Sequence, residues 1–130
     1  MLTTTPSDSH TWNLVFLGLL LTELGCRVVN VGPCPPGRLV VDFCLREAPD
    51  LIVVSSVNGH GAEDGVPLAH QLRAVPQLRT TPMVIGGKLG IEGRDVEAGR
   101  LEEAGFTRVL GEDVESLSRL VAAVKAGTAP

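Results

Sequence analysis

The chain is poor in aromatic side chains and in positive charge, and both shortages exclude classes of partner. It contains three phenylalanines, one tryptophan and no tyrosine, which is too few rings to stack on successive bases. Its 11 Lys and Arg residues are outnumbered by 15 Asp and Glu residues, giving a net charge of −4, and they form no cluster. We therefore expect no nucleic acid partner, because surfaces that bind nucleic acid carry a patch of positive charge.

Long apolar runs and paired cysteines are also missing. The longest apolar run, Leu14 to Leu21, is far shorter than the roughly 20 residues that a membrane-spanning helix needs. The segment before it has no Lys or Arg, so it lacks the positive start of a secretory signal. Cys26, Cys34 and Cys44 are odd in number and have no C-x-x-C spacing, which favours reduced thiols over disulfides or a zinc site. These features predict a cytoplasmic protein that is not in a membrane.

What the sequence does contain is a regular alternation of strand and helix patterns. Five β-branched or apolar runs, LTTT, CRVVNVG, LIVVSS, PMVIGG and TRVLG, are each followed by a helical pattern. Such an order predicts a parallel sheet with helices on both faces. We expect a flavodoxin-like or Rossmann-like α/β fold with a doubly wound, five-stranded parallel sheet over residues 1–126, and a frayed tail at 127–130. The first run is short, so we expect an upstream start codon or a trimmed edge there.

The helical patterns have recognisable limits. They cover residues 11–24, a segment that begins at Pro36, and residues 62–75, 96–104 and 114–125. Gly25 follows the first of these patterns and Gly105 the fourth, as expected for helices that end at a glycine. The patterns therefore predict five helices that connect successive strands.

The segments that follow the strands predict the ligand site. Ligands of such sheets bind at the carboxyl ends of the strands, where the strand order reverses. The segments here are TPSDSHTWN, VGPCPPG, SSVNGHGAEDG, GGKLGIEG and LGED. Four of the five are rich in Gly, Ser, Asn, Asp or His, and small residues let a ligand approach the backbone closely. We therefore expect a large ligand at this edge.

The first of these segments places Asp8 two residues before His10. The carboxylate could hold one ring nitrogen and leave the other free to ligate a metal or to move a proton. The alternative is that Asp8 or Ser7 caps the first helix beside a solvated histidine, since Ser and Asp are common N-caps. Taken alone, these residues favour the alternative.

Three segments together resemble the cobalamin-binding domain of B12-dependent mutases and methionine synthase. That family carries D-x-H-x-x-G after the first strand, S-x-L after the third and G-G after the fourth. The matching segments here are Asp8 to Asn13, Ser55 to Val57, and Gly86 with Gly87. Intervals of 45 residues from His10 to Ser55 and 31 from Ser55 to Gly86 suit the family. The resemblance covers nearly the whole chain and is strongest to the small subunits of glutamate mutase (methylaspartate mutase), through VVNVG, SSVNGHGAEDG, GGK and AGFTRV.

The resemblance implies a cofactor and a set of residues that hold it. Adenosylcobalamin would bind with its dimethylbenzimidazole tail inside the protein, and His10 would take the vacated lower position on cobalt. Asp8 would orient His10, and Ser55 would hydrogen-bond the buried benzimidazole nitrogen. The other residues that the resemblance places at the cofactor are Ser7, Ser9, Thr11, Asn13, Ser56, Val57, Gly86, Gly87, Lys88, Leu89, Gly90, Ile91 and Glu92.

Two positions depart from the family motif. Asn13 stands in place of the motif glycine, and Val57 in place of the motif leucine. Valine is only slightly smaller than leucine. Asparagine tolerates unusual backbone angles better than most residues, and it could either donate a hydrogen bond to the tail or narrow its slot. We therefore expect Asn13 to affect how tightly cobalamin binds.

The resemblance also implies a function. The chain would be one subunit of an isomerase that rearranges glutamate to 3-methylaspartate. It would be inactive without a larger, barrel-type subunit that binds the substrate, and it could also pair with a second copy of itself. The alternative is a corrinoid carrier or a cobalamin-responsive regulator, but those usually have a further domain, whereas this motif begins at Ser7. A flavin-binding protein is a weaker alternative, because a Ser/Thr-rich phosphate loop and flanking aromatic residues are missing. We expect Trp12 to contact the corrin or a partner.

Overall fold

The computed structural model of the chain describes residues 1–57, 60–87, 94–110 and 114–127. Within these residues the four strands are β1 (Leu2–Thr4), β2 (Ile52–Ser56), β3 (Met83–Gly87) and β4 (Arg108–Leu110). The helices are α1 (Thr11–Glu23), α2 (Gly37–Glu47), α3 (Gly61–Arg73), α4 (Arg94–Ala104) and α5 (Val114–Lys125), with a 3₁₀ turn at Pro76–Leu78. None of the helices described is long and apolar enough to cross a membrane.

The strands form one parallel sheet in the order β1-β2-β3-β4. The prediction of five strands is wrong by one within the described residues, because CRVVNVG contributes a single bridge, between Leu2 and Asn30. Backbone hydrogen bonds from Leu2 N–H to Val29 O (2.8 Å) and from Val31 N–H to Leu2 O (2.9 Å) hold it beside β1. β1 is three residues long, and the chain turns away at Gly32, where φ is +95°. The pairing of CRVVNVG with β1 is therefore too short to form a strand. The prediction of a parallel α/β fold is confirmed.

The order of the strands reverses at β1. After β1 the chain passes to residues 29–31 on one side of it, and after α2 it returns as β2 on the other side. The carboxyl ends of β1 and β2 therefore flank the point of reversal, where ligands of such sheets bind. The loop of residues 5–10 and the residues that end β2 lie at this point.

Helices cover the sheet on both faces. Alternate residues of β2 point to opposite faces, so Ile52 and Val54 pack on one side and Val53 on the other. The three-helix face is covered by α2, α3 and α4, and the two-helix face by α1 and α5. Buried residues that fill the three-helix face include Val40, Leu68, Leu72, Ile85 and Leu101. Those that fill the two-helix face include Leu2, Leu14, Leu21, Val84 and Leu117.

The ends of the helices follow local chemistry. α1 is followed by Gly25, whose φ of +85° is the left-handed conformation that glycine adopts without strain. α5 has the predicted bounds. α3 ends two residues earlier than predicted, because Val75 precedes Pro76 and is extended (φ −84°, ψ 118°), the conformation that a following proline favours.

Candidate cofactor site at the sheet edge

The loop after β1 brings Asp8 and His10 into contact. Asp8 is fully buried, and its Oδ1 lies 2.6 Å from the Nδ1 of His10 and 2.9 Å from the backbone nitrogen of His10. Its Oδ2 accepts the N–H of Val57 at 2.6 Å. His10 is the residue that precedes α1, and no described side chain forms a capping hydrogen bond to this helix. The interpretation of Asp8 as a helix cap is therefore wrong, because its carboxylate holds His10 and the end of β2.

The charge state of Asp8 follows from its partners. Burial raises the pKa of this carboxyl, but the N–H of Val57, the N–H of His10 and the His10 ring together lower the pKa below its usual range. The carboxylate is therefore ionised at neutral pH and can only accept hydrogen bonds. The proton between the two side chains then belongs to Nδ1, so Nε2 is the ring nitrogen that can offer a lone pair.

The His10 ring is accessible, and its partner is not. The His10 side chain is 55 % exposed, whereas that of Asp8 is 0 % exposed. A buried carboxylate that holds Nδ1 of an exposed ring is the arrangement by which proteins present the other nitrogen to a metal. In the part of the chain that is described, no three His, Cys, Asp or Glu residues are grouped to hold a metal ion. Among these residues, His10 is therefore a single candidate ligand and not part of a metal-binding cluster.

The loop itself is fixed by hydrogen bonds to neighbouring segments. The carbonyl oxygen of Asp8 accepts the Thr4 hydroxyl and the N–H of Cys34, each at 3.0 Å. The N–H of Thr5 donates to the Ser55 carbonyl at 3.1 Å. The Ser7 hydroxyl bonds the Asp64 carboxylate, in the first turn of α3. These bonds order the loop before any ligand arrives, which reduces the entropy that binding would cost.

A cavity of about 260 Å³ lies on the two-helix face, between α1, α5 and the sheet. We call it the slot. α1 lines it with Phe16, Leu17 and Leu20, α5 with Val114 and Leu117, and the sheet with residues that include Val53 and Val84. Val57 also lines the slot, and its N–H is the one bonded to Asp8. The slot therefore begins beside the Asp8–His10 pair.

Asn13 stands between Ser55 and the slot. The Nδ2 of Asn13 donates to the Ser55 Oγ at 2.5 Å. Ser55 is only 2 % exposed and does not line the slot in the described residues, whereas Asn13 does. Both predicted residues are thus at the site, but the polar side chain on the wall of the slot is the asparagine.

The remaining predicted residues fall into distinct places. Ser56 is buried on the three-helix side, where its Oγ accepts the Thr5 hydroxyl at 3.4 Å. Ser9 and Thr11 are exposed on either side of His10. Gly86, the strand neighbour of Ser55, lines the slot together with Gly87. The five predicted residues at 88–92, Lys88, Leu89, Gly90, Ile91 and Glu92, lie outside the described residues.

Gly87 has a structural reason to be glycine. Its φ is +109°, in the left-handed region that residues with a side chain rarely adopt. A Cβ at this position would collide with the carbonyl oxygen of Ser56. The sheet therefore needs glycine here before any ligand is considered.

Sequence reasoning predicted a contact for Trp12 but missed the other apolar residues that α1 leaves exposed, of which Phe16 also lines the slot. Trp12 is 85 % exposed, and Val15, Phe16 and Leu19 are also more than half exposed, although α1 buries Leu14 and Leu21 on its other side. The signal was present, because the run from Leu14 to Leu21 is apolar on all sides of a helix. A helix that packs on one side and meets water on the other would carry polar residues there.

The chain is 34 % identical over 111 residues to the glutamate mutase sigma subunit of Halobacterium salinarum, over 84 % of this chain and 73 % of that protein. The chain belongs to the glutamate mutase sigma-subunit family. A second sigma subunit, from Fusobacterium nucleatum, is 30 % identical over 105 residues, covering 79 % of this chain and 76 % of that protein. No family model matches the sequence. The resemblance predicted from the three motif segments is therefore confirmed.

Solved structures of low sequence identity share the fold of this chain. The methanol:cobalamin methyltransferase complex MtaBC from Methanosarcina barkeri matches with a TM-score of 0.75 and 18 % identity, over 98 % of this chain and 46 % of that chain. A receiver domain of a histidine kinase from Syntrophus aciditrophicus matches with a TM-score of 0.70 and 23 % identity, over 97 % and 89 %. Since proteins of different function share the fold, the ligand must be argued from the site.

Proposed function

We propose that residues 1–126 form the cobalamin-binding domain of an adenosylcobalamin-dependent mutase that rearranges glutamate to 3-methylaspartate. The observation that carries the proposal is the Asp8–His10 pair at the mouth of an apolar slot, where the strand order reverses. Membership of the glutamate mutase sigma-subunit family supports the choice of reaction.

The residues present fit cobalamin. An imidazole nitrogen is a suitable ligand for cobalt, and Asp8 holds the His10 ring in the tautomer that leaves Nε2 free. The slot offers apolar walls and the amide of Asn13 to a heterocyclic tail. When bound, cobalamin would supply the cobalt–carbon bond whose cleavage starts a radical rearrangement. The residues of this chain bind the cofactor, orient it and keep water from its tail.

An exposed apolar stripe on α1 supports the proposed large partner subunit. Trp12, Val15, Phe16 and Leu19 recur at the spacing of one helix face and are exposed. Monomeric proteins rarely expose a contiguous apolar stripe to water, and such a stripe usually marks a contact with another molecule. It follows His10 directly in the chain, so a subunit seated on the cofactor would also reach it.

We expect no mutase activity from the chain alone. Residues 5–13 and 55–57, which form the described part of the site's mouth, contain no Lys or Arg. A substrate with two carboxylates requires positive charge for its recognition. Those groups would come from the larger subunit.

Cobalamin retention tests the proposal. The purified chain is mixed with hydroxocobalamin, desalted and examined by visible absorption, beside His10→Ala and the matched control His70→Ala, which changes an exposed histidine in α3. We expect the wild type and the control to retain cobalamin with a histidine ligand, and His10→Ala to lose it or to change its spectrum. Failure of the wild type to retain any cobalamin, or identical spectra for His10→Ala and the wild type, would contradict the proposal.

A second measurement tests the reaction. The chain is combined with the large subunit of a glutamate mutase, adenosylcobalamin and glutamate, and 3-methylaspartate is quantified. We expect product only when both subunits are present. Cobalamin retention without any product would overturn the assignment as a mutase subunit and favour a corrinoid carrier or a cobalamin-responsive module.

A further inference from the structure

Among the described residues, the polar side chain that lines the slot comes from α1 and not from the sheet. Asn13 lines the slot, while Ser55 lies behind it with its Oγ accepting from Asn13 Nδ2 at 2.5 Å. Asn13 stands in the first turn of α1, and Ser55 near the end of β2. One hydrogen bond across 42 residues thus fixes the orientation of the amide.

An amide in this position still has capacity to bind. Its nitrogen carries two protons, and the bond to Ser55 uses one of them. The other lining residues identified in the described chain are aliphatic, aromatic or glycine. A ring nitrogen buried among them would lose its hydrogen bond to water, and an unpaired buried acceptor is unfavourable. Of the side chains described on the wall, that of Asn13 can replace that bond.

The size of the slot argues against Asn13 as a plug. The cavity measures about 260 Å³ with the asparagine in place, and the amide is drawn towards Ser55 by its hydrogen bond. The side chain therefore forms part of the wall and leaves space beside it. Entry of a tail does not require the bond between Asn13 and Ser55 to break.

We infer that Asn13 is the residue that donates a hydrogen bond to the ring nitrogen of the cofactor's tail, and that Ser55 is a positioning residue that orients its amide. This inference rests on the proposed function, because it needs a corrinoid whose nucleotide tail enters the slot. It makes Asn13 a determinant of which corrinoids bind, since one with a tail gains from the amide and one without a tail does not.

The test compares two corrinoids on the same set of variants. Hydroxocobalamin has the nucleotide tail, and diaquocobinamide lacks it, so the ratio of their dissociation constants isolates the contribution of the slot. Asn13→Asp keeps the shape of the side chain but removes its donor, because a carboxylate only accepts. Thr3→Val is the matched control for Ser55→Ala, since it removes a fully buried hydroxyl of β1 that donates to the Thr4 carbonyl oxygen. Circular dichroism checks that each variant is folded.

We expect Asn13→Asp to weaken hydroxocobalamin about tenfold, the order of one lost hydrogen bond, and to leave diaquocobinamide within about twofold. Asn13→Gly would uncover Ser55, so it should keep most of the affinity for hydroxocobalamin. Ser55→Ala should then weaken binding about threefold when Asn13 is present and about tenfold when it is glycine, because Ser55 becomes the direct donor. Thr3→Val should change the affinity for neither corrinoid.

Four results would overturn the inference while the proposed function stands. One is an unchanged affinity of Asn13→Asp for hydroxocobalamin, and another is an equal loss for both corrinoids, which would place the effect on folding or on His10. The third is an equal cost of Ser55→Ala with and without Asn13. If the wild type binds the two corrinoids equally, the slot is unused and the inference is wrong. If the wild type binds neither, the proposed function fails and the inference fails with it.

Discussion

A glycine in the middle of a helix has very different surroundings on the two faces of the sheet. On the three-helix face, a Cβ on Gly65 of α3 would lie 2.8 Å from Leu101 Cδ2 and 3.0 Å from Ile85 Cδ1, both closer than ordinary packing permits. On the two-helix face, a Cβ on Gly18 of α1 would lie 3.8 Å from Leu2 Cδ2, an ordinary contact. At these positions α3 is pressed closely onto its neighbours, whereas α1 is not.

This difference separates the part of the molecule that contributes most to its stability from the part where we propose that the ligand binds. The three-helix face is filled by a larger cluster of buried residues, and α3 approaches α4 and the sheet closely. The two-helix face contains the slot and the exposed stripe of α1. A hydrogen bond from the N–H of Val57 to Asp8 joins the end of β2 to the loop after β1, and one from Asn13 to Ser55 joins α1 to β2. Space for a ligand is thus available where packing contributes less to stability.

The largest expected effect contrasts one leucine from each face. Leu72→Ala, in α3, should lower the free energy of unfolding by about 3 kcal/mol, because it leaves a cavity in a close-packed core. Leu20→Ala, in α1, should cost about 1 kcal/mol, because this half-buried side chain borders a cavity that already exists. Urea unfolding of both variants measures the difference. Equal losses would show that the two faces are packed alike.

The next effect tests whether hydrogen bonds hold the binding side. Asp8→Asn replaces an acceptor by a donor that faces the N–H of Val57 or of His10, and we expect a loss of about 2 kcal/mol at pH 7. Asp42→Asn, an exposed carboxylate in α2, is the control and should change stability by less than about 0.5 kcal/mol.

The Asp8 effect should also depend on pH. The carboxyl has a lower pKa in the folded chain than in the unfolded chain, where it is about 3.9. Its contribution is therefore fully present above about pH 5 and is lost as the pH falls through the folded-state pKa. Unfolding at pH 7 and at pH 3 should show a smaller gap between wild type and Asp8→Asn at the lower pH. A gap that stays constant would mean that the charge of Asp8 contributes nothing.

The smallest effect returns to the two glycines, and the two faces should differ in its sign. Gly65→Ala should destabilise the chain by about 1 kcal/mol, since overpacking against Leu101 and Ile85 outweighs the gain in helix propensity. Gly18→Ala should stabilise it by roughly 0.5 kcal/mol, because alanine favours the helix and meets no obstacle. Thermal unfolding of the pair measures both. Two changes of the same sign would show that the comparison between the faces does not hold.

Much of the secondary structure could be predicted from the sequence, and the limits of that prediction have physical causes. α5 runs from Val114 to Lys125 as predicted, because its apolar residues recur at helical spacing. CRVVNVG has an equally clear strand pattern, yet it forms only a bridge. A strand needs a partner, and the number of residues that β1 offers is not a property of the segment itself.

The candidate site divides in the same way. The contact between Asp8 and His10 joins residues two apart in the chain, so the local sequence determined that they could meet. The bond between Asn13 and Ser55 spans 42 residues, and that between Val57 and Asp8 spans 49. Such contacts depend on which strands are neighbours and on how α1 lies over β2. The sequence by itself determined the alternating α/β order and the Asp8–His10 pair. The tertiary structure decided the slot and the placement of Asn13 on its wall, because both depend on segments that only folding brings together.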